Sequence, residues 1–149
     1  MDVIQLLEKN EEEIVEKATG ALERTPLKHY KESGTELNKL RLKKLSDLVS
    51  ISIKKKNLIP LIDYIRDVAH ERFESGFPIY EVLTAINVLE ETMWKQIIKE
   101  LPPTEFAGAI GMVSTVLGSA KTTLATTYVS LAGNTKMPTL DLSSLFKFK

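Results

Sequence analysis

The segment from roughly Glu105 to Leu131 constrains the fold most, because it is long and almost free of charge. Between Phe106 and Lys136 its only charged residue is Lys121. A helix with so few charges has to be covered on most of its sides. One row of residues follows alternating steps of four and three, which is the spacing of a heptad seam. The seam consists of Phe106, Ile110, Val113, Leu117, Ala120, Leu124, Thr127 and Leu131.

Two interpretations of this fifth helical segment stay open: it is the central helix of a bundle or the contact between two copies of the chain. The candidate dimer interface is Phe106, Ile110, Val113, Leu117, Leu124 and Leu131. A second row at similar spacing holds small residues, namely Gly108, Gly111, Thr115, Gly118, Thr122 and Ala125. A membrane span is the third alternative, but the many Ser, Thr and Gly residues and the central Lys121 make insertion unfavourable. We therefore predict no membrane association.

Four further helices precede this segment, so the periodicity predicts an all-α fold, a five-helix antiparallel bundle. The first helix is expected from about Asp2 to Arg24. The second is expected to start at Thr35 as N-cap, supported by Asn38 three residues later. It ends in the basic run 54–56, which suits a helix C-terminus. The apolar stripe of this second helix is Leu37, Leu40, Leu45, Leu48 and Ile51.

The third and fourth helices are joined by a very short corner. Asn57 is expected to cap the third helix, with Pro60 tolerated in its first turn. Gly76 sits where a helix C-terminus requires a positive φ, and Pro78 opens the fourth helix with its φ already fixed. So short a connection predicts two antiparallel neighbours.

The sequence predicts one domain, with a helical bundle at residues 1–133 and a tail at 134–149. The tail begins at Gly133-Asn134, where the fifth helix is expected to end. Large apolar residues in so short a tail are expected to pack on the bundle or on a partner chain. These residues are Leu140, Leu142, Leu145, Phe146 and Phe148.

Composition excludes several kinds of chemistry. The chain has no cysteine, which excludes disulfides, thiolate metal sites and cysteine nucleophiles and fits a cytoplasmic location. The N-terminus is acidic and does not resemble a secretory signal. Net charge is zero, but acidic segments (1–24 and 57–101) alternate with basic ones (25–56 and 102–149). This pattern favours neighbouring helices of opposite sign, and we predict no nucleic-acid binding.

Motifs that resemble catalytic or metal sites do not meet the chemical requirements. The run from Gly118 to Lys121 resembles a phosphate-binding loop, but its spacing is wrong and no strand precedes it. The two histidines, His29 and His70, are too far apart to predict a local metal pair. No nucleophile and base occur in a recognisable arrangement. We therefore predict no catalytic residue, no metal, no cofactor and no enzymatic activity.

The corner between the third and fourth helices is the candidate ligand or signal site, formed by Arg72, Gly76, Trp94 and Tyr64. Arg72 is adjacent to Phe73 on a turn that otherwise faces the core, so its guanidinium is expected to be partly buried. Asp67, Glu71 or a carboxylate on another helix is its expected partner. A structural ion pair is favoured over ligand contact. Trp94 and Tyr64 are expected either to flank a cavity or to be part of the core.

The corner also carries a family resemblance. The residues concerned are Glu71-Arg72, Gly76, Glu81-Val82-Leu83, Ala85, Leu89 and Trp94. They resemble the signature of the N-terminal sensory domain of the RsbT co-antagonist (RsbR/RsbRD-type) proteins. A looser similarity extends from Leu6 to Leu131. Pro78 departs from the pattern, because related sequences have a serine or similar cap there.

The resemblance implies a bacterial signalling input or adaptor domain in stress-response regulation. Domains of this kind precede outputs such as a STAS domain or histidine kinase, and the RsbR inputs are globin-like dimers that bind no haem. The expectation for this chain is a stand-alone homodimer that binds a regulatory protein partner or a small apolar ligand. The alternative is a cofactor- or lipid-binding sensor with a pocket inside the bundle, where haem would need His29 or His70 to point inward.

Overall fold

The computed structural model describes residues 1–136, which contain seven α-helices, one short 3-10 helix and no strand. The predicted all-α class is confirmed. Residues 137–149, with the apolar cluster expected in the tail, lie outside the described residues. The helices are α1 (Val3–Lys9), α2 (Glu11–Glu23), α3 (Lys28–Ser33), α4 (Thr35–Lys55), α5 (Ile59–Glu74), α6 (Ile79–Glu100) and α7 (Phe106–Lys136), with the 3-10 helix at Pro103–Glu105 before α7.

The expected first helix is two helices, α1 and α2, separated at Asn10. Asp2 and Gln5 form a capping box that starts α1. Asn10 ends α1, because both its backbone N–H and its side-chain amide donate to the carbonyl of Leu6. Asn10 also precedes the acidic first turn of α2, where negative charge favours a helix N-terminus.

The segment expected to be a polar connection contains the short helix α3, and this changes the start of α4. Gly34, with φ of 89°, turns the chain between the two helices. The predicted capping of α4 by Thr35 with Asn38 is wrong, because Thr35 is already helical and its hydroxyl donates to Glu23. Asn38 is buried instead, and its amide donates to the carbonyl of Tyr30. This hydrogen bond connects α4 to α3.

The predicted apolar face of α4 is partly wrong. Leu37, Leu40 and Ile51 are exposed, whereas Leu45 and Leu48 are buried. The row that faces the core includes polar residues, which hydrophobic spacing alone does not select. This row is Asn38, Leu42, Leu45, Val49 and Ser52. Leu37 and Leu40 lie off this row, because steps of three and four residues from Asn38 define one side of a helix.

The turn between α5 and α6 has the expected backbone geometry, but the expected packing of the two helices on each other is absent. At the start of α5 the N-cap is Leu58 and not the expected Asn57, although the Asn57 side chain accepts a hydrogen bond from the Ile59 N–H at 3.0 Å. Gly76 has φ of 83°, and the next N–H, that of Phe77, donates to the Arg72 carbonyl at 2.9 Å. Pro78 lies directly before α6 with φ of −65°. The prediction that these two helices pack side by side as antiparallel neighbours is wrong, because α5 and α6 each pack along α7 instead of along each other.

Helix α7 packs along α5 and α6, while α2 packs against α4 and α6. The heptad seam of α7 faces this core: Val113, Leu117 and Leu124 have no exposed surface. Phe106 and Ile110 are partly buried against the same core, and Leu131 is partly buried. The seam is therefore the central core of the chain itself, and its buried residues are not free to contact a second copy. The helix also continues through Gly133-Asn134, where it was expected to end, to Lys136.

Two neighbouring isoleucines of α6 test this account of the core. Ile97 is fully buried and Ile98 is 54% exposed. We expect Ile97→Ala to lower the free energy of unfolding by about 2–5 kcal/mol, because it leaves a cavity. Ile98→Ala should change it by less than about 0.5 kcal/mol. Urea unfolding followed by circular dichroism measures both, and equal losses would contradict the described packing.

Candidate functional site

Two arginines from different helices share one carboxylate next to the α5–α6 turn. Arg72, on α5, is only 6% exposed, and its Nη1 donates to Glu71 Oε2 at 2.5 Å. Arg41, on α4, has Nη2 3.8 Å from Glu71 Oε1. Glu71 was one of the partners expected for Arg72, but Arg41 was not foreseen. We call Arg41, Glu71 and Arg72 the arginine corner.

Two aromatic rings lie against both guanidinium groups of the arginine corner. The Tyr30 ring lies 5.6 Å from the Arg41 guanidinium carbon and 6.0 Å from that of Arg72. The Phe77 ring lies 5.7 and 5.6 Å from the same two atoms. The two rings meet edge to face at 5.2 Å. These contacts are within the range of cation–π attraction, which partly offsets the loss of water around the buried charges.

The pKa shifts at the corner follow from this crowding. Burial raises the pKa of Tyr30 and of Tyr64, although the nearby Arg72 charge opposes the shift. Burial lowers the pKa of Arg41, and the positive charge of Arg72 lowers it further. Burial also acts to lower the pKa of Arg72, but Tyr30 and Glu71 outweigh it and the net shift is upward. Both arginines are charged, because a guanidinium does not lose its proton in proteins, and Glu71 pairs with each of them.

A small cavity of about 30 Å³ opens beside the arginine corner. Arg41, Arg72, Tyr30, Tyr64 and Asn38 supply its polar groups. Its other walls are apolar and come from α2, α4, α5 and α6. They are Leu22, Leu42, Leu45, Ile65, Val68, Val82, Ala85 and Ile86.

The structure brings two of the four candidate corner residues together at this cavity, Arg72 and Tyr64. Gly76 forms the nearby turn and contributes only its backbone geometry. Trp94 is not among the lining residues: it is partly exposed, and its indole N–H donates to Ser114 on α7 at 3.1 Å. The reason is distance, because Trp94 lies about 22 Å along α6 from the start of that helix.

Sequence reasoning missed a buried pair next to Phe77, whose ring centre lies 5.0 Å from that of His29. Glu81 is only 1% exposed; it accepts the His29 backbone N–H at 2.9 Å and lies 2.7 Å from His29 Nδ1. Glu81 was expected only to favour the helix dipole of α6. Its spacing contained a stronger signal, because Glu81, Ala85 and Leu89 fall four residues apart on the buried side of α6.

The side of α7 that faces away from the core is exposed and uncharged. We call it the outer face of α7, and its members follow steps of four, three, seven, four and three: Gly108, Met112, Thr115, Thr122, Thr126 and Val129. Lys121 does not belong to it, because its ammonium pairs with Glu90 on α6. Four members of the predicted row of small residues are exposed here or beside it (Gly108, Gly111, Thr115 and Thr122), whereas Gly118 and Ala125 are half-buried.

An open groove of about 690 Å³ lies beside the first half of α7. Its walls come from α1, the end of α4 and α7, and include Ile4, Ile53, Gly111 and Met112. Ser52 also lines the groove, and its buried hydroxyl has no hydrogen-bond partner among residues 1–136. The groove is mainly apolar, with Lys56 on its border.

Neither histidine occupies a position from which it could ligate a cofactor inside the bundle. His70 is exposed, and His29 is engaged by Glu81. Residues 1–136 contain no group of three or more His, Asp or Glu residues able to hold a metal ion. Within the same range, no helix has both the length and the apolarity needed to cross a membrane.

Comparisons with protein-family models, curated proteins and solved structures find no match.

We expect the His29–Glu81 pair to stabilise the fold. Glu81→Ala should lower the free energy of unfolding by about 3 kcal/mol, because it removes the acceptor of a buried N–H and leaves the ring unpaired. Glu91→Ala is the matched control, since Glu91 is an exposed carboxylate on α6 that pairs with Lys95, and it should cost less than about 1 kcal/mol. Urea unfolding measures both variants, and similar costs would contradict the role of Glu81.

A second expectation concerns alkaline pH. The Tyr128 hydroxyl on α7 donates to the Phe77 carbonyl at 2.9 Å, and burial raises its pKa to about 12. An unfolded tyrosine has a pKa of about 10, so the stabilisation is complete below pH 10 and is lost as pH rises towards 12. Tyr128→Phe should make stability fall less steeply between these values, as measured by urea unfolding at each pH. Tyr80→Phe, which removes an exposed hydroxyl, is the control; an unchanged slope in Tyr128→Phe would contradict this assignment.

Proposed function

We propose that this protein is a non-enzymatic regulatory input or adaptor domain that works as a homodimer. The observation that carries the proposal is the outer face of α7, which is exposed along much of the helix and carries no charge. Monomeric domains usually mix charged side chains into such a surface. Burying an uncharged face against a matching surface does not require any charged group to lose its water.

A second copy of the chain is the occupant that this face fits best. A two-fold contact places the same patch on both subunits, so the patch must complement itself. An uncharged helix face meets this condition, because like charges do not oppose each other when two copies meet. Small residues such as Gly108, Thr115 and Thr122 also allow two helices to approach closely. Met112 and Val129, which is 71% exposed, supply apolar surface to bury.

The resemblance to the RsbT co-antagonist N-terminal domains supports the regulatory part of the proposal. Those domains are described as globin-like and haem-free, and we propose the same arrangement here. The interior cavity of about 30 Å³ is far smaller than a haem, which agrees with an input domain that works without one. A regulatory protein in the bacterial cytoplasm is the proposed partner of the dimer.

The proposed route of a signal runs through α7. Tyr128 contacts the α5–α6 turn through its hydrogen bond to the Phe77 carbonyl. Its neighbour Val129 lies on the outer face of α7. Phe73 on α5 packs edge to face on Tyr128 at 5.5 Å. A shift of the corner would therefore move α7 and change the surface offered to a second subunit or a protein partner.

A second candidate function is a sensor for a small apolar ligand, and the groove beside α7 favours it. The groove has the volume of a small-molecule site, and the unpaired Ser52 hydroxyl offers it one polar contact. An added side chain at Gly111 would meet open space there. Gly111→Leu would thus fill the groove without disturbing the core.

We expect the purified protein to sediment as a dimer, and Thr122→Lys to convert it to a monomer. The lysine places two like charges at the centre of the contact without touching the groove. Asn87→Lys is the control: it adds the same charge to an exposed site on α6. Analytical ultracentrifugation over a micromolar concentration range measures the state of each variant.

A monomeric wild-type protein, or a Thr122→Lys variant that remains dimeric, would contradict the proposed interface. Native mass spectrometry of the same samples tests the second candidate. Mass that is added to the wild-type protein, lost on denaturation and absent from Gly111→Leu would favour the apolar-ligand sensor.

A further inference from the structure

We propose that the cavity at the arginine corner binds a small monocarboxylate of about the size of acetate. The inference does not depend on the dimer, because no residue of the cavity belongs to the outer face of α7. It rests on three features of the corner: an excess of positive charge, hydrogen-bond donors without partners, and a small apolar pocket beside them.

Of the residues that the structure describes, two arginines and no carboxylate line the cavity. Among residues 1–136, Glu71 is the only carboxylate that pairs with either Arg41 or Arg72. Arg72 itself is only 6% exposed, so water screens its charge less than it screens that of a surface arginine. One additional anion would balance the two arginines, each then having a carboxylate.

The donors at the cavity are not used up by the protein's own acceptors. An arginine has five N–H donors, yet the hydrogen bonds of Arg72 involve only Nε, at 3.5 Å from the Tyr30 hydroxyl, and Nη1. Arg41 donates to Asn38 at 3.1 Å, and its contact with Glu71 at 3.8 Å is longer than a hydrogen bond. Within residues 1–136 the Tyr64 hydroxyl has no hydrogen-bond partner. The planar fork of an arginine suits a carboxylate in particular, because it binds both oxygens.

The shape of the cavity limits the rest of the ligand. Its volume of about 30 Å³ exceeds the roughly 10–15 Å³ that one water requires. It is much too small for a long acyl chain. Apolar side chains such as Ile65, Val68 and Ile86 form the wall away from the arginines. These dimensions favour a carboxylate with a methyl-sized body.

The binding test uses the full chain and isothermal titration with sodium acetate, in a buffer that contains no other oxyanion. Two controls are titrated in parallel. Acetamide is neutral and has nearly the same shape as acetate. Sodium chloride supplies an anion that lacks the two oxygens an arginine fork binds. We expect acetate to bind and to raise the melting temperature, whereas acetamide has no effect and chloride binds at least about tenfold more weakly. Equal effects of acetate and acetamide, equal binding of chloride, or no acetate binding would overturn the proposal.

Two variants and one control locate the site. Arg41→Gln should weaken acetate binding by about tenfold or more, because it removes a charged donor. Tyr64→Phe keeps the ring and removes only the hydroxyl, so it should fold normally and weaken binding by a few-fold. Arg66→Gln removes the same charge from an exposed position on α5 and should leave binding unchanged. If Tyr64→Phe binds acetate like the wild-type protein, or if Arg66→Gln weakens binding as much as Arg41→Gln, the corner is not the site.

Discussion

The burial of the Arg72 guanidinium is the constraint around which the corner is organised. A charge this poorly solvated is tolerated only when ion pairs, hydrogen bonds and ring faces replace the lost water. Glu71 supplies the ion pair, Tyr30 a hydroxyl, and Phe77 a ring face. These groups come from α3, from α5 itself and from the turn that follows it. The contacts that stabilise the Arg72 guanidinium therefore fix the positions of α3, α5 and the α5–α6 turn relative to one another.

The second organising feature is the division of α7 into two unlike sides. One side has the heptad seam and is buried against α5 and α6, while the other has small or neutral residues in water. The pairing of Lys121 with Glu90 keeps the single charge of this stretch between the two sides. A helix of this kind stabilises the monomer with one side and leaves the other side for a second surface. The proposed dimer follows from this division, since the seam itself is already covered.

Patterns of apolar spacing and backbone chemistry predicted much of the fold, but not its polar interior. The positive φ of Gly76 and the position of Pro78 followed from what those residues can adopt. The break at Asn10, the short α3 and the buried Asn38 did not, because each depends on a side-chain bond to a backbone carbonyl that spacing does not reveal. At the site, burial of Arg72 and its pairing with Glu71 were foreseen. Arg41, Tyr30 and the His29–Glu81 pair were not, because they come from segments distant in sequence and only packing brings them together.

The α5–α6 turn and the outer face of α7 are physically connected, and this connection is a route for coupling between them. Tyr128 joins α7 to the turn by one hydrogen bond and to α5 by a ring contact, and the adjacent Val129 faces outward. A ligand at the arginine corner would shift the proposed dimer only by as much as it prefers one arrangement of these contacts over another. An anion between Arg41 and Arg72 would favour the arrangement in which both guanidinium groups face the cavity. The position of Phe77 against both guanidinium groups, and hence that of Tyr128, would change with them. If the corner has two such arrangements, the contact that stabilises the fold would also transmit the signal in the proposed function.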